Sequence, residues 1–443
     1  MSKGLIIAAP ASGSGKTTVT LALLRALRRA GVRVGSAKVG PDYIDPAFHA
    51  AASGRPCATL DPWAMRPETL AGQVTRAGAD ADLVIAEGVM GLFDGATDGS
   101  GSTADLAALT GWPVILVIDA RGMAASAAAL LHGFATYRAG LRPVAVIFNR
   151  VGRPGHTRLL REAVGPLGIA VLGGLPKRPA LVLPERHLGL VQAGEHPNLE
   201  RFLEAAADLV AAEIDLDRLQ ALAQPSPLAD PAEGVGEAAL PPLGQRIAVA
   251  RDDAFAFSYP FVLEGWRAAG AEIGFFSPLA NQAPDSAADA VYLPGGYPEL
   301  HGGRLAEAES CLEGLRAAAR RGAVVYGECG GYMVLGRLLI DAEGQSHAMA
   351  GLLPLETSFA EPALSLGYRN AVLCEPGALG GANARFRGHE FHYARVLAEA
   401  GDRPLFHCRN ARGEDLGLAG VRSGSVFGSF IHLIDRAAVA GGH

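Results

Sequence analysis

An apolar run at residues 5–8 leads into Ala9-Pro10-Ala11-Ser12-Gly13-Ser14-Gly15-Lys16-Thr17-Thr18, and residues 19–29 then carry apolar side chains at helical spacing. A buried strand, a turn of small residues and a helix in that order let backbone N–H groups close around an anion. The helix N-terminus favours negative charge at the same point. Ser12, Gly13, Ser14, Gly15, Lys16, Thr17 and Thr18 are therefore expected to bind the phosphates of ATP. Lys16 would reach the outer phosphates and the Thr17 hydroxyl a magnesium ion bridging them. The common pattern opens with glycine where Pro10 stands, a residue with fixed φ and no N–H. A plain strand-to-helix turn is the competing reading.

The chain has 443 residues, too many for one core at roughly 150 residues per domain. Up to residue 217, short apolar runs at 5–8, 32–38, 83–86, 114–119, 144–148 and 170–172 alternate with helical patterns. That alternation predicts an α/β domain, a doubly wound parallel sheet with helices on both faces. Ligands of such sheets bind beyond the carboxyl ends of the strands. Residues 222–243 hold Pro225, Pro227, Pro231, Pro241 and Pro242 among small and polar residues, the composition of a linker. A second α/β set follows, with strands expected at 246–250, 272–276, 290–293, 323–326 and 425–427, and helices near 261–269, 305–320 and 333–339. The expected division is 1–221, a linker at 222–243, and 244–443.

Charge and cysteine content exclude several function classes. The net charge is −6, with no run of lysines or arginines, so there is no footprint for nucleic acid or an anionic membrane. No apolar stretch approaches the roughly 20 residues that span a bilayer, and no basic-then-apolar export signal opens the chain. A soluble, cytoplasmic protein is expected. Cys57, Cys311, Cys329, Cys374 and Cys408 are scattered, with no Cys-x-x-Cys pair, which argues against a disulfide framework and a structural zinc site. One reactive thiol among inert ones is the simpler reading.

Two further stretches of the first half carry oxygen ligands. Lys38-Val39-Gly40-Pro41-Asp42-Tyr43-Ile44-Asp45-Pro46 follows the second run, and Glu87 ends the third ahead of a glycine-rich loop. A phosphate-bound magnesium takes one or two protein carboxylates, so Asp42, Asp45 and Glu87 join Thr17 as candidate ligands. Turn formers beside proline, and a helix-capping partner, are the plainer roles for them. Asn149 ends the run at 144–148, where its amide could read the edge of adenine or simply form a turn. Lys38 reads either as a second charge for a phosphate or carboxylate substrate or as a solvated strand end.

In the second half, Val324-Val325-Tyr326-Gly327-Glu328-Cys329-Gly330-Gly331-Tyr332 runs from strand to helix, the layout of a nucleophile elbow with cysteine in place of serine. Such a turn is expected to lower the thiol pKa and to present backbone N–H groups to an oxyanion. Pro294-Gly295-Gly296-Tyr297, after another strand, could add a second N–H. His432 follows a late strand and is the candidate base, with His301, His389, His392 and His407 as competitors.

These motifs resemble known families. The second half resembles the class I glutamine amidotransferases, with Cys329 as nucleophile, His432 as base and oxyanion amides at Gly296 and Gly330. In the ordinary triad of that class a glutamate stands two residues after the histidine. Ile434 stands there instead, a departure typical of the cobalamin-pathway branch, and it leaves the third member unassigned. Glu390, in Arg387-Gly388-His389-Glu390-Phe391-His392, resembles a stretch of this branch without an assignable role. The first half resembles the dethiobiotin-synthetase-like P-loop enzymes, which use ATP to make an acyl phosphate. Together, and with Leu60-Asp61-Pro62-Trp63, the chain resembles the a,c-diamide synthase family of corrinoid amidotransferases over essentially its whole length.

The resemblance implies ATP- and glutamine-dependent amidation of the a and c carboxylates of hydrogenobyrinic or cobyrinic acid, with ATP and Mg2+ as cofactors. It also implies small-molecule substrates only, L-glutamine and a corrinoid polycarboxylate, and the homodimers common among such proteins. By position alone, Lys38, Tyr43, Asp61 and Trp63 are substrate candidates. Cobyric acid synthase and nickel-sirohydrochlorin a,c-diamide synthase share both halves. A partition-type P-loop ATPase would share the first half only, and a pseudo-glutaminase scaffold would lack working chemistry at Cys329 and His432.

Overall fold

Leu5, Ile6 and Ile7 are fully buried, as a strand covered on both faces requires, and they lie in β1 (Lys3–Ala8) near the middle of a parallel sheet. The computed structural model describes residues 3–152, 155–178, 185–186, 189–228, 238–401 and 403–437. These fall into two units, one of Met1–Trp63 and Pro67–Gly234, the other of Ala64–Arg66 and Val235–His443.

The first unit alternates strand and helix. In chain order it comprises β1, α1 (Lys16–Arg29), β2 (Val34–Val39), α2 (Asp45–Ser53), β3 (Cys57–Leu60), α3 (Pro67–Gly78), β4 (Leu83–Glu87) and α4 (Thr103–Thr110). Then come β5 (Val114–Asp119), α5 (Ser126–Thr136), β6 (Ala145–Val151), α6 (His156–Val164) and β7 (Ala170–Pro176). A small ladder of β8 (Glu185–Arg186) and β9 (Gly189–Leu190), then α7 (Leu199–Glu213), α8 (Leu216–Leu222) and β10 (Gln224–Pro225), complete it. The sheet order is β3-β2-β4-β1-β5-β6-β7, all parallel, with β10 antiparallel to the start of β1. Two features depart from the sequence reading. β3, four residues long, is not among the expected runs, and β10 turns part of the expected linker into a strand. Pro231 lies outside the described residues.

Close packing in this unit relies on glycine where an element approaches a strand. A Cβ on Gly35 would stand 2.0 Å from the Ala77 carbonyl at the end of α3.

The second unit continues with β11 (Arg246–Ala250), α9 (Pro260–Ala268), β12 (Glu272–Phe276), β13 (Ala290–Leu293), α10 (Gly302–Ala306), α11 (Glu309–Arg320), β14 (Val324–Glu328) and α12 (Gly330–Leu335). Strands then dominate: β15 (Leu338–Ile340), β16 (Ser346–Ala348), β17 (Leu355–Ser358), β18 (Ser365–Leu373) and β19 (Arg385–His392). The last are β20 (Arg395–Glu399), β21 (Pro404–Arg409), β22 (Asp415–Ser423), β23 (Val426–Ser429) and β24 (His432–Arg436). One sheet runs β12-β11-β13-β14-β23-β22-β21-β18-β19-β24, parallel as far as β23 and antiparallel beyond; a smaller one runs β16-β15-β17-β20.

The helix expected at 305–320 is divided into α10 and α11. That expected at 333–339 ends at Leu335 and gives way to β15. The antiparallel strands lack the buried apolar runs that mark parallel ones; β20 is exposed throughout.

Connection length forces the larger sheet to curl. β24 begins at His432, three residues after β23 ends at Ser429, yet the two stand five places apart in the sheet order. Five strand spacings of a flat sheet span about 24 Å, whereas three extended residues reach about 11 Å. The antiparallel half therefore rolls back on itself. The roll returns His432 to the end of β14.

Gly35→Ala is expected to lower the unfolding midpoint by several degrees, a loss of about 1–3 kcal/mol from forced overpacking against backbone, as measured by thermal denaturation.

Candidate active sites

In the first unit the glycines set the phosphate loop. Gly13 and Gly15 take φ of 77° and 86°, left-handed values that other residues reach only with strain, and Gly15 precedes the first residue of α1. A Cβ on Gly15 would lie 2.2 Å from Asn149 Nδ2. Asn149 donates to the Ser14 carbonyl at 3.0 Å and accepts from the Arg150 N–H at 2.9 Å. Arg150 in turn donates to the Gly13 carbonyl (2.8 Å) and Asp119 (2.7 Å). Asn149 thus braces the loop while also lining the cavity next to it. That cavity, about 210 Å³, lies between the loop, the end of β6, residues 175–178 and α7, whose Ala206 and Val210 give it an apolar wall.

Strand register brings the acidic candidates to the same place. Ile7 pairs with Glu87 and Lys38 pairs with Glu87, so three strands end together beside the loop. The Thr17 hydroxyl donates to Glu87 Oε1 at 2.6 Å. The Lys38 ammonium meets Asp45 at 2.5 Å, Glu87 at 3.0 Å and Asp42 at 3.6 Å. On the far side, His49 Nε2 is 2.7 Å from Glu87 Oε2, and Cys57 Sγ lies 3.6 Å from His49 Nδ1.

Burial works against the Lys38 charge, but Asp45, Glu87 and Asp42 outweigh it and hold the ammonium well above the ordinary lysine range. Burial likewise opposes the Glu87 charge, and Lys38, His49 and Lys16 overcome it, keeping the carboxylate ionised far below its usual range. Lys16 is lowered by burial and by Lys38.

Among the described residues no three His, Cys, Asp or Glu side chains form a metal cage. Thr17 and Glu87 are nevertheless a hydroxyl and a carboxylate in contact beside a phosphate loop, the hard-oxygen set that suits a magnesium held mainly by phosphate. Asp42 and Asp45 are turned to Lys38.

Three of the four substrate candidates are buried. Lys38 is enclosed by its carboxylates, Asp61 accepts the Trp63 N–H at 2.9 Å, and Trp63 packs where a Cβ on Gly101 would touch it. Tyr43 alone of the four is partly exposed. Sequence reasoning missed His49, although its place one helical turn after Asp45 puts both on one face of α2. It also missed the cavity wall at 175–178 and on α7, which carries no motif.

In the second unit Cys329 has φ 47° and ψ −104°, the strained turn of an elbow, and heads α12. Its N–H donates to the Ser429 carbonyl at 2.8 Å, which ties the elbow to β23 three residues before His432. Glycines let the remaining parts close in. A Cβ on Gly295 would stand 2.4 Å from His432 Cε1, and one on Gly330 would stand 3.0 Å from the Gly296 nitrogen. Cys329, His432, Gly296 and Gly330 are thus brought to one place. The Gly331 N–H is committed to the Pro294 carbonyl at 3.1 Å.

His432 begins β24 opposite His389, with the two rings 5.1 Å apart. Burial, His389 and His392 hold its imidazole well below the ordinary range, so it is neutral. The thiol departs from expectation. Burial pushes Cys329 well up, with Glu299 adding to this and a hydrogen bond from the Gly330 N–H opposing it. At 3% exposed, the sulfur loses more from lost hydration than the short α12 returns. Glu390 is engaged by other groups, accepting from Arg369 Nε at 2.8 Å and lying 2.9 Å from His392 Nε2. His407 lies 3.0 Å from Asp415 Oδ1, and among the described residues no helix is long and apolar enough to cross a membrane.

Residues 5–191 match the CobQ/CobB/MinD/ParA nucleotide binding domain, and residues 246–438 match the CobB/CobQ-like glutamine amidotransferase domain. The hydrogenobyrinate a,c-diamide synthase of Brucella abortus is 58% identical over 99% of this chain and 100% of its own length. Its counterpart from a Sinorhizobium species is 56% identical over 99% and 100%, and that from Rhodobacter capsulatus 55% identical over 98% and 98%.

Lys38→Met leaves Asp45 and Glu87 buried, and Asp42 half-buried, around an apolar chain. A loss of about 3–5 kcal/mol is expected, read as a lower denaturant midpoint for the first unit.

Proposed function

The chain belongs to the hydrogenobyrinate a,c-diamide synthase family, and from that premise we propose that it converts the metal-free macrocycle hydrogenobyrinic acid to its a,c-diamide with ATP and glutamine. It is a glutamine-hydrolysing amide synthase of cobalamin biosynthesis. The observation that carries the reading in residues is the Cys329 elbow gathered with His432, in a chain whose other unit has a glycine-rich loop heading α1.

In the second unit the Cys329 sulfur attacks the side-chain amide carbon of glutamine as its proton passes to His432. N–H groups at Gly296 and Gly330 stabilise the oxyanion. The carbon–nitrogen bond breaks, and ammonia leaves with the proton from His432. Water then cleaves the thioester, releasing glutamate and restoring the thiol.

In the first unit the loop from Ser12 to Thr18 binds the phosphates of ATP, with Lys16 on the outer ones and the apolar wall of the cavity against the base. Thr17 and Glu87, with Asp42 and Asp45 close by, would hold magnesium. When bound, the ion neutralises charge on the phosphate oxygens. A peripheral carboxylate oxygen of the macrocycle attacks the γ-phosphorus, and the bond to the bridging oxygen of ADP breaks. Ammonia attacks the resulting acyl phosphate and phosphate departs, leaving the amide. The cycle runs once at each of the a and c carboxylates. Activation is needed because a carboxylate at neutral pH does not accept an amine nucleophile unaided.

Tyr43 is retained as a substrate candidate. The linker at 222–243 divides the two catalytic units, and the enzyme works in the cytoplasm as a homodimer.

The test is Cys329→Ala assayed with glutamine or with ammonia as nitrogen donor, on hydrogenobyrinic and on cobyrinic acid, with product masses. The variant is expected to lose glutamine-dependent amidation by at least about 1000-fold while keeping the ammonia-dependent reaction, and the metal-free acid is expected to gain two amides. If wild type with ammonia amidates neither acid, the proposed substrate is wrong.

A further inference from the structure

The acid that would complete a Cys–His triad is missing from its usual place, since Ile434 stands two residues after His432. Glu390 is committed to Arg369 and His392. A different carboxylate lies closer. Glu328, the residue directly before the nucleophile, is 3% exposed, and its Oε2 lies 4.0 Å from His432 Nδ1.

Its surroundings are built to hold a carboxylate. Tyr326 shares a face of β14 with Glu328, and Tyr292 lies opposite Tyr326 in the β13–β14 register, their rings stacked at 5.7 Å. Both hydroxyls donate to the carboxylate, Tyr292 to Oε2 and Tyr326 to Oε1, each at 2.8 Å. The Leu433 N–H also donates to Oε1 at 3.3 Å, tying Glu328 to the strand that carries His432. Hydrogen bonds of this kind are commonly long without substrate and tighten when it binds.

We propose that Glu328 is the positioning acid of the glutaminase site, holding Nδ1 of His432 so that Nε2 faces Cys329. As the thiol proton passes to Nε2, the charge formed on the ring is balanced by the Glu328 carboxylate at Nδ1. When ammonia leaves with that proton, the ring is neutral again and Glu328 is unchanged. The role rests on Cys329 and His432 being the nucleophile and base.

Several groups face this set. His389 and His392 act on His432 from β19, Tyr259 acts on Tyr292, and Glu299 and Glu390 act on the Cys329 thiol. Burial pushes Glu328 up to about 7, with the two tyrosines and the Leu433 N–H opposing. His432 titrates much lower. The carboxylate is therefore the group that loses its charge first as pH falls through neutrality.

The experiment measures glutamine hydrolysis by wild type, Glu328→Gln, Glu328→Asp, His432→Ala and the Glu328→Gln/His432→Ala double variant between pH 5.5 and 9, with thermal unfolding of each. Glu328→Gln is expected to lower kcat by roughly 10- to 1000-fold with KM for glutamine within about twofold. Wild-type kcat is expected to fall below pH about 7, and the variant to lose that acid limb. In the His432→Ala background the same change is expected to have no further effect. If Glu328→Gln does not fold, Glu328→Asp decides, since it keeps the charge and is expected to keep the acid limb. Wild-type kcat and pH profile in a folded Glu328→Gln, an equal loss in the His432→Ala background, or a Glu328→Asp profile without the limb would each overturn the role. Glutamine hydrolysis surviving in Cys329→Ala would instead overturn the nucleophile assignment, an outcome visible separately.

Discussion

A charge taken out of water costs several kcal/mol unless it is paired, and the Lys38 ammonium, 3% exposed, is surrounded by Asp42, Asp45 and Glu87 within 3.6 Å. The phosphate site is arranged around that pairing. Glu87 serves two neighbours with one oxygen, Thr17 and Lys38, because His49 holds the other. The His49 contact fixes the direction of the carboxylate, and the Lys38 contact keeps it ionised. A carboxylate so held meets the phosphate loop without first having to be desolvated or turned.

The second site solves the reverse problem. Its proposed nucleophile and base are neutral at rest, a buried thiol and a buried imidazole both shifted toward their uncharged forms. Charge arises there only as the proton moves, so the surroundings must stabilise a transient ion pair. The N–H groups around Gly296 and Gly330 address one end of it. The buried acceptor at Glu328 addresses the other, and its three donors keep it in place whether or not the ring is charged.

What could be read beforehand follows the range of the interactions. The phosphate loop and the cysteine elbow were legible because each is a strand, a glycine turn and a helix contiguous in sequence, and the backbone alone makes the site. Asp42, Asp45 and Glu87 were legible as strand-end carboxylates, but their convergence on Lys38 depends on β2, β4 and β1 lying side by side. The sequence spacing of 49 residues between Lys38 and Glu87 carries no trace of that. The strands from β15 to β22 were illegible for another reason. Half-exposed antiparallel strands such as β18 and β20 have neither a buried apolar run nor a clean alternation. Without them the curl that brings His432 home cannot be deduced, and His432 stays one histidine among five.

The same packing explains why the acid need not stand at residue 434. Residues two apart on a strand share a face, so an acid at 434 would lie on the His432 side of β24. Ile434 there is fully buried, and Asp435, on the other face, is used by Arg66, which bonds it through its N–H at 2.8 Å and its Nε at 3.0 Å. A carboxylate at 434 would take the place of that apolar side chain. On β14 the donors are already present, because two tyrosines of adjacent parallel strands reach one point and the β24 backbone supplies a third. A buried carboxylate is tolerable only where hydrogen bonds replace water. In this fold that place is next to the nucleophile, one residue before it, and the constraint that moves the acid there is the same one that gathers three carboxylates around Lys38.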